Sequence, residues 1–221
     1  MTPAGAADLT LDELRLALAP AIADAAVFDG WSDAALVSAA AMDGVDPDVA
    51  RLAFPGGAMD MIAAWIEGVD VAMAAAVPVE TLAVMKVRER IRTLVEARLA
   101  AVTGREEALR RALVVMAMPQ NLVRAGRLGW ASADRMWRLA GDTATDYNHY
   151  TKRAILTGLY ASTLAVFVDD TSPDKGETRA FLERRIDDVM RFEKAKAQFL
   201  GTGRDRFSVA RFLGRLRYPA R

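Results

Sequence analysis

Apolar residues recur along this chain at the three-to-four-residue spacing of helices, and no stretch alternates with the two-residue spacing of strands. The first segment starts near Thr10, with Glu13 three residues later, which is the spacing of a capping box. Two shorter segments follow, one capped by Ser32 and one begun by Asp46 and Pro47. Three short helices in this order have the rhythm of a helix-turn-helix unit.

Longer amphipathic or apolar segments follow this front, separated by Pro and Gly. They predict helices over residues 58–77, 80–102, 106–118, 120–139, 154–168, 177–200 and 204–217. The fold class is therefore all-α, with about ten helices. The predicted domains are 1–57 (the helix-turn-helix-like front), 58–200 (the main helical domain) and 204–221 (a short basic helix beyond a glycine hinge).

Composition and charge exclude several classes of site. The chain has 221 residues, of which 52% are hydrophobic, and its 29 basic side chains balance 29 acidic ones, so no global field attracts nucleic acid. The absence of cysteine excludes disulfides, thiolate nucleophiles and cysteine-ligated metals. A single histidine cannot supply the paired Glu-x-x-His ligands of a di-iron bundle. We therefore expect no metal and no cofactor.

The third segment would be the reading helix if this front bound DNA. It offers Asp46 and Asp48 against one basic residue, Arg51. Phosphate contacts dominate DNA affinity, so such a surface should repel the duplex. The sequence thus argues against a nucleic-acid partner.

The only histidine, His149, lies in a polar segment that we call the collar, residues 141–153, just before a strongly apolar helix. A Ser-His-acid triad is formally possible there, but the chain has no nucleophile elbow. We therefore predict no catalytic residue and no enzyme. A cryptic enzyme dependent on His149 remains the competing hypothesis.

Met and Trp recur on the middle helices, and this periodicity fits a plain core as well as an apolar cavity for a long hydrophobic ligand. The basic end of the chain is also open to two interpretations, a membrane-surface anchor or a helix docked on protein. The residues predicted to contact a membrane are Arg204, Arg206, Phe207, Arg211, Phe212, Leu213, Arg215 and Leu216.

Residues 1–9 hold one acid, and no base occurs before Arg15, which is typical neither of a secretory signal nor of a mitochondrial presequence. No run approaches the roughly 18 apolar residues of a membrane span. The expected location is the bacterial cytoplasm, with peripheral association with the inner membrane.

Residues 140–153 read AGDTATDYNHYTKR. This block resembles the AGDTSTDFNWYT-K/R-R block of the coenzyme Q biosynthesis protein nine family. Supporting blocks in the same order lie at residues 54–57, 86–92, 118–121 and 181–194, and the resemblance runs over about residues 31–199.

That resemblance implies a TetR-regulator-like fold that no longer reads DNA, a cavity for isoprenoid lipids and a membrane-binding C-terminal helix. The predicted lipid-binding residues are Met59, Ile62, Trp65, Met73, Met85, Met116, Trp137, Leu156, Tyr160 and Phe167. A partner-binding patch is implied at Asp146, Asn148, His149 and Tyr150. His149 stands where the family often has Trp, and His is the weaker interface residue.

The predicted function is that of a non-enzymatic lipid-binding accessory protein of ubiquinone biosynthesis. It would present polyprenyl quinone intermediates to the demethoxyubiquinone hydroxylase at the membrane surface. A homodimer is expected, since regulators of this fold usually dimerise. The alternative function is that of a ligand-sensing TetR-type transcriptional regulator.

Overall fold

The computed structural model describes residues 9–143, 145 and 147–201, with side chains for all of these except 147 and 192–201. Ten α-helices account for most of this part of the chain, and it contains no strand. The all-α prediction is confirmed. The helices are α1 (Leu11–Asp29), α2 (Asp33–Met42), α3 (Pro47–Ala53), α4 (Ala58–Ala76), α5 (Val79–Ala83), α6 (Val87–Val102), α7 (Glu106–Met116), α8 (Leu122–Leu139), α9 (Tyr147–Phe167) and α10 (Gly176–Gly201).

The chain divides into two compact units, one that ends at Glu183 and one that begins at Arg184. This boundary falls among the residues of α10. In the second unit, Arg185 pairs with Asp188 one helical turn away, at 2.6 Å. The predicted division at residues 57 and 200 stays a prediction.

The caps predicted for the first three helices are confirmed. Thr10 and Glu13 form a reciprocal capping box, in which the Glu13 carboxylate accepts from the Thr10 backbone N–H at 2.9 Å. Ser32 caps α2, and the Asp46 carboxylate accepts from the first turn of α3. These caps depend only on neighbouring residues, which is why the sequence predicts them well.

The front is fastened to the main domain by a buried indole. Trp31 Nε1 donates to the Ala108 carbonyl of α7 at 2.9 Å, and its ring lies 5.3 Å from that of Trp65 on α4. Burial of two tryptophans contributes strongly to stability because each removes a large apolar area from water.

Helix α4 lies at the centre of the first unit, packed against α1, α6, α7 and α8. At its N-terminus, the Asp60 carboxylate accepts from the Gly56 N–H at 2.6 Å and pairs with Arg124 of α8. An acid in the first turn of a helix also interacts favourably with the helix dipole. The N-terminus of α4 is thus held against α8.

The prediction of a single helix over residues 80–102 is wrong, because the helix is interrupted between α5 and α6. The carbonyls of Ala83 and Met85, near this break, accept hydrogen bonds from the Arg90 guanidinium at 3.1 and 2.9 Å. The same guanidinium donates to the Ala140 carbonyl at 2.8 Å. A long-range side-chain bond of this kind leaves no trace in hydrophobic periodicity.

Part of the collar belongs to the helix that it was predicted to precede. Helix α9 begins at Tyr147, seven residues before the apolar run predicted to form it, so the second half of the collar is its first two turns. At the other end of the chain, α10 extends to Gly201. Of the predicted glycine hinge, residues 201–203, Gly201 is the last residue of α10. Residues 202 and 203 and the predicted helix 204–217 lie outside the described residues.

Candidate functional site

An apolar cavity of about 270 Å³ lies in the first unit, between α4, α6, α7, α8 and α9. Its lining is dominated by aliphatic, aromatic and small side chains. The principal apolar residues in its wall are Ile62, Trp65, Val69, Leu109, Leu113, Met116, Leu128, Tyr160 and Leu164. A space of this kind suits a hydrophobic ligand or part of one.

The structure brings four of the ten predicted lipid-binding residues to this cavity: Ile62, Trp65, Met116 and Tyr160. The other six do not line it in the described part of the chain. Met59, Met73 and Leu156 are buried in the core, and Met85 and Trp137 are half-buried.

The sixth, Phe167, lines a second and more open pocket of about 640 Å³ with residues of α4, α6 and the start of α10. There the Lys175 ammonium lies 4.7 Å from the Phe167 ring centre and pairs with Glu106 at 3.1 Å. Spacing along a helix shows which residues face inward, but not whether a core or a cavity lies there.

Sequence reasoning missed the polar residues on the cavity wall. Arg98 and Ser132 both line the cavity. Arg98 pairs with the buried Asp70 at 3.3 Å, and Ser132 Oγ donates to the other Asp70 oxygen at 2.9 Å. The Arg98 guanidinium also lies 4.6 Å from the ring centre of Tyr160. Burial raises the pKa of Tyr160 and keeps it a neutral phenol.

The described collar residues form a partly exposed aromatic surface. Tyr150 is 62% exposed, Asn148 is exposed and His149 is half-buried. The Tyr150 ring lies 6.1 Å from Trp130 of α8 and meets His149 edge-on at 5.1 Å. Asp146, the fourth predicted partner-binding residue, lies outside the described residues.

Charged residues hold the collar in place from beneath. Arg153, which is buried, donates to Asp134 of α8 at 2.6 Å and to Asp142 at 3.1 Å. Lys152 also pairs with Asp142 at 2.6 Å, and Trp137 Nε1 donates to the Lys152 carbonyl at 3.0 Å. Burial raises the pKa of Asp142, but the hydrogen bonds from Lys152 and Arg153 outweigh it, and the pKa is lowered overall.

The residues predicted to contact a membrane, from Arg204 to Leu216, lie outside the described residues. Among the helices that are described, none combines the length and apolarity needed to cross a membrane. Within the same residues, no group of three or more His, Asp or Glu side chains is arranged to hold a metal ion.

The sequence model of the COQ9 family matches residues 122–193. This segment contains α8, the collar, α9 and most of α10. The resemblance predicted from the collar block is thereby confirmed. The matched segment includes the cavity wall on α8 and α9, and it includes the collar.

Two mammalian proteins are similar over the same length of chain. The rat "Ubiquinone biosynthesis protein COQ9, mitochondrial" is 39% identical over 118 residues, which are 53% of this chain and 38% of that protein. The human protein of the same name is 37% identical over 118 residues, 53% of this chain and 37% of its own. The chain thus matches less than two fifths of the length of these relatives.

The similarity extends further in fission yeast. The Schizosaccharomyces pombe "Ubiquinone biosynthesis protein coq9, mitochondrial" is 24% identical over 170 residues, which are 77% of this chain and 68% of that protein.

The fold is similar to that of a solved bacterial structure, the TetR transcriptional regulator from Nitrosomonas europaea. The TM-score is 0.63 at 22% sequence identity, over 78% of this chain and 95% of the regulator. The predicted TetR-like all-α fold is confirmed.

The expected location in the bacterial cytoplasm is wrong, because the relatives from rat, human and fission yeast are named mitochondrial. That expectation rested on the few residues before Arg15. The similarity to these relatives lies in the helical domain further along the chain. The packing of that domain determines the fold and carries no information on the cellular compartment.

Proposed function

We propose that this chain, whose residues 122–193 match the COQ9 family, is a non-enzymatic, lipid-binding accessory protein of ubiquinone biosynthesis. The observation that supports this most directly is the apolar cavity, because α8 and α9 of the matched segment supply much of its wall. The assignment to ubiquinone biosynthesis is inferred from the names of the relatives.

The cavity's size and lining limit what part of a lipid it can take. Its 270 Å³ lies just below the ~300–1,000 Å³ of common small-molecule sites. A long polyprenyl quinone would exceed this volume. The cavity therefore takes one end of the lipid, and the rest extends beyond it.

The collar is the proposed docking patch for the demethoxyubiquinone hydroxylase. Exposed aromatic side chains that are already ordered suit protein interfaces, since little side-chain entropy is lost when a partner binds. Tyr150 meets this description, because it is exposed and yet rests against Trp130 and His149. The ion pairs of Arg153 beneath it keep this surface in one conformation.

The basic end of the chain is the proposed contact with the membrane. Its arginines alternate with apolar residues at helical spacing, and each Arg close to anionic lipid contributes about 1 kcal/mol. Deletion of residues 204–221 should abolish flotation with vesicles that contain anionic lipid. Unchanged flotation of the truncated chain would refute this membrane contact.

A variant at the rim of the cavity tests lipid binding. Gly126 of α8 lines the cavity but is exposed, and a Cβ at this position would meet nothing within 4 Å. Gly126→Leu should therefore place a side chain at the mouth of the cavity and obstruct binding of the lipid. Gly68→Leu on α4 is the matched control, since a Cβ there also meets nothing within 4 Å and Gly68 is not part of this wall.

Native mass spectrometry of the purified full chain is the measurement. The wild type and Gly68→Leu should carry a co-purified isoprenoid, and Gly126→Leu should not. A wild-type protein without lipid, even when purified from membranes, would contradict the proposal. A strain that lacks the protein should also accumulate demethoxyubiquinone, and normal ubiquinone in it would remove the pathway assignment.

A ligand-sensing TetR-type regulator is the alternative, supported by the fold. Against it, the basic side chain of α3, Arg51, is engaged by two acids, Asp33 and Asp48, each at 2.8 Å. Specific binding to its own upstream DNA at physiological salt would favour the regulator. We propose a homodimer by analogy with that fold, and light scattering that gives the mass of one chain would contradict it.

A further inference from the structure

We infer that the cavity takes its ligand oxygen-first, with a neutral carbonyl, hydroxyl or phenol oxygen accepting a hydrogen bond from Arg98. This inference rests on the proposed lipid-binding function and gives the ligand a direction within the site. The ligand class is an isoprenoid that carries a neutral oxygen at one end. Its apolar chain would lie against the rest of the wall.

Arg98 is the first reason. Its side chain is only 3% exposed and that of its partner Asp70 only 7%, yet neither Arg98 Nε nor Asp70 Oδ1 has a hydrogen-bond partner among the described residues. The two atoms lie 3.3 Å apart and form an ion pair, but they do not form a well-directed hydrogen bond. Buried charged groups are normally fully hydrogen-bonded, because an unmade bond costs the desolvation of the group.

The surroundings of the guanidinium leave the cavity as the place for the missing acceptor. Ser132 donates to Asp70 and cannot satisfy Arg98 by that bond. The Tyr160 ring lies against the guanidinium and offers a π-face in place of an acceptor oxygen. Arg98 lines the cavity, so a ligand oxygen against that part of the wall would lie beside its side chain.

Guanidinium groups have donors and no acceptor, so the complementary ligand atom must be an acceptor. The charge of Arg98 is already balanced by Asp70 at 3.3 Å. An anionic ligand would therefore bring a second negative charge close to the Asp70 carboxylate, and this repulsion is strong where water is excluded. A neutral oxygen takes the hydrogen bond without that repulsion.

The test uses the full chain and three ligands with the same isoprenoid skeleton: farnesol, the hydrocarbon farnesene and the anion farnesoate. Binding is measured by quenching of tryptophan fluorescence, to which Trp65 in the cavity wall should respond. We expect the wild type to bind farnesol about tenfold more tightly than farnesene, the size of one hydrogen bond to a charged group. Farnesoate should bind more weakly than farnesol.

The comparison variant replaces both members of the ion pair, Asp70→Leu with Arg98→Met. Removing Arg98 alone would leave the Asp70 charge buried without its partner, whereas replacing the whole pair by apolar side chains is often neutral for stability. The double variant should bind farnesene at least as tightly as the wild type does, and the preference for farnesol should disappear. The circular dichroism spectrum and the melting temperature of the double variant would verify that the variant folds.

The possible results separate this inference from the proposed function. If the wild type binds farnesol and farnesene equally, or prefers farnesoate, the oxygen-first orientation is refuted and lipid binding stands. A preference for farnesol that persists in the double variant would also refute the role of Arg98. If the wild type binds none of the three ligands, the proposed lipid-binding function fails and this inference fails with it.

Discussion

The Arg153 guanidinium of α9 donates to the Asp134 carboxylate of α8 across 2.6 Å, although the Arg153 side chain is only 2% exposed. The same carboxylate also pairs with Arg138, one turn further along α8, at 2.7 Å, and that side chain is 73% exposed. The two arginines thus share one partner at similar distances, but they differ in their access to water, and Arg153 also pairs with Asp142. This difference decides how much each pair contributes to stability.

Arg153→Met should destabilise the fold by about 3 kcal/mol, because it leaves two acids without their buried partner. Arg138→Met should change the free energy of unfolding by no more than ~0.5 kcal/mol, as is usual for an exposed pair. Urea unfolding of the two variants measures both. Equal losses would show that burial does not control the strength of these ion pairs.

The stability of the fold should fall in acid partly through Asp142. Its pKa in the folded chain lies below the ordinary value of 3.8, since hydrogen bonds from Lys152 and Arg153 outweigh the effect of burial. A lowered pKa means that the stabilisation is complete above pH 3.8 and is lost as the pH falls through the lower, folded-state pKa.

The measurement is the free energy of unfolding in urea as the pH is lowered from about 5, above the ordinary pKa of the carboxyl, into the range below it. Asp142→Asn should start from lower stability and lose less of it over that interval. Asp134, whose pKa is also lowered, should keep part of the dependence in place. Parallel curves for Asp142→Asn and the wild type would show that Asp142 does not contribute.

Gly56→Ala should be destabilising by about 1–3 kcal/mol through overpacking. A Cβ at this position would lie 2.7–2.8 Å from the Asp60 carboxylate, which the Gly56 N–H itself binds. Gly68→Ala is the control, because a Cβ there meets nothing within 4 Å inside α4. It should stabilise by ~0.5–1 kcal/mol. Thermal unfolding of both variants would contradict this account if their melting temperatures shifted in the same direction.

Tyr150→Ala should weaken binding to the proposed partner, the demethoxyubiquinone hydroxylase, about 30-fold, the effect of losing one interface residue worth about 2 kcal/mol. Its stability should change little, since the side chain is mostly exposed. Phe28→Ala removes another exposed aromatic, 82% exposed near the end of α1, and should leave binding intact. Surface plasmon resonance compares the two, and an equal loss in both would argue against the collar as the docking patch.

Local rules predicted much of the fold. The caps at Thr10, Ser32 and Asp46 were found because each depends on side chains no more than three residues away. The helical class follows from the spacing of apolar residues, which the packing of the core preserves. The break before α6 was missed because the Arg90 guanidinium, which binds the Ala83 and Met85 carbonyls near it, follows no rule of apolar spacing.

The candidate site was predicted less completely. On the sequence, Arg98 resembles the half-buried arginines of the same helix, and only the position of Asp70 on another helix reveals a buried pair. Ile62 and Trp65 line the cavity, whereas Met73 is ordinary core. These residues share one apolar pattern on α4, so only the three-dimensional packing distinguishes their roles.

Helix α9 runs without a break from Tyr147 to Phe167, with Tyr150 in its first turn and Tyr160 on the cavity wall. The number of residues between Tyr150 and Tyr160 therefore fixes the angle around the helix axis between the collar and the cavity wall. Inserting one residue between positions 150 and 160 would turn one end by about 100° against the other, whereas seven residues would nearly restore the phase. Binding of the partner at the collar should depend on that angle. It should be lost with the one-residue insertion and restored with the seven-residue insertion.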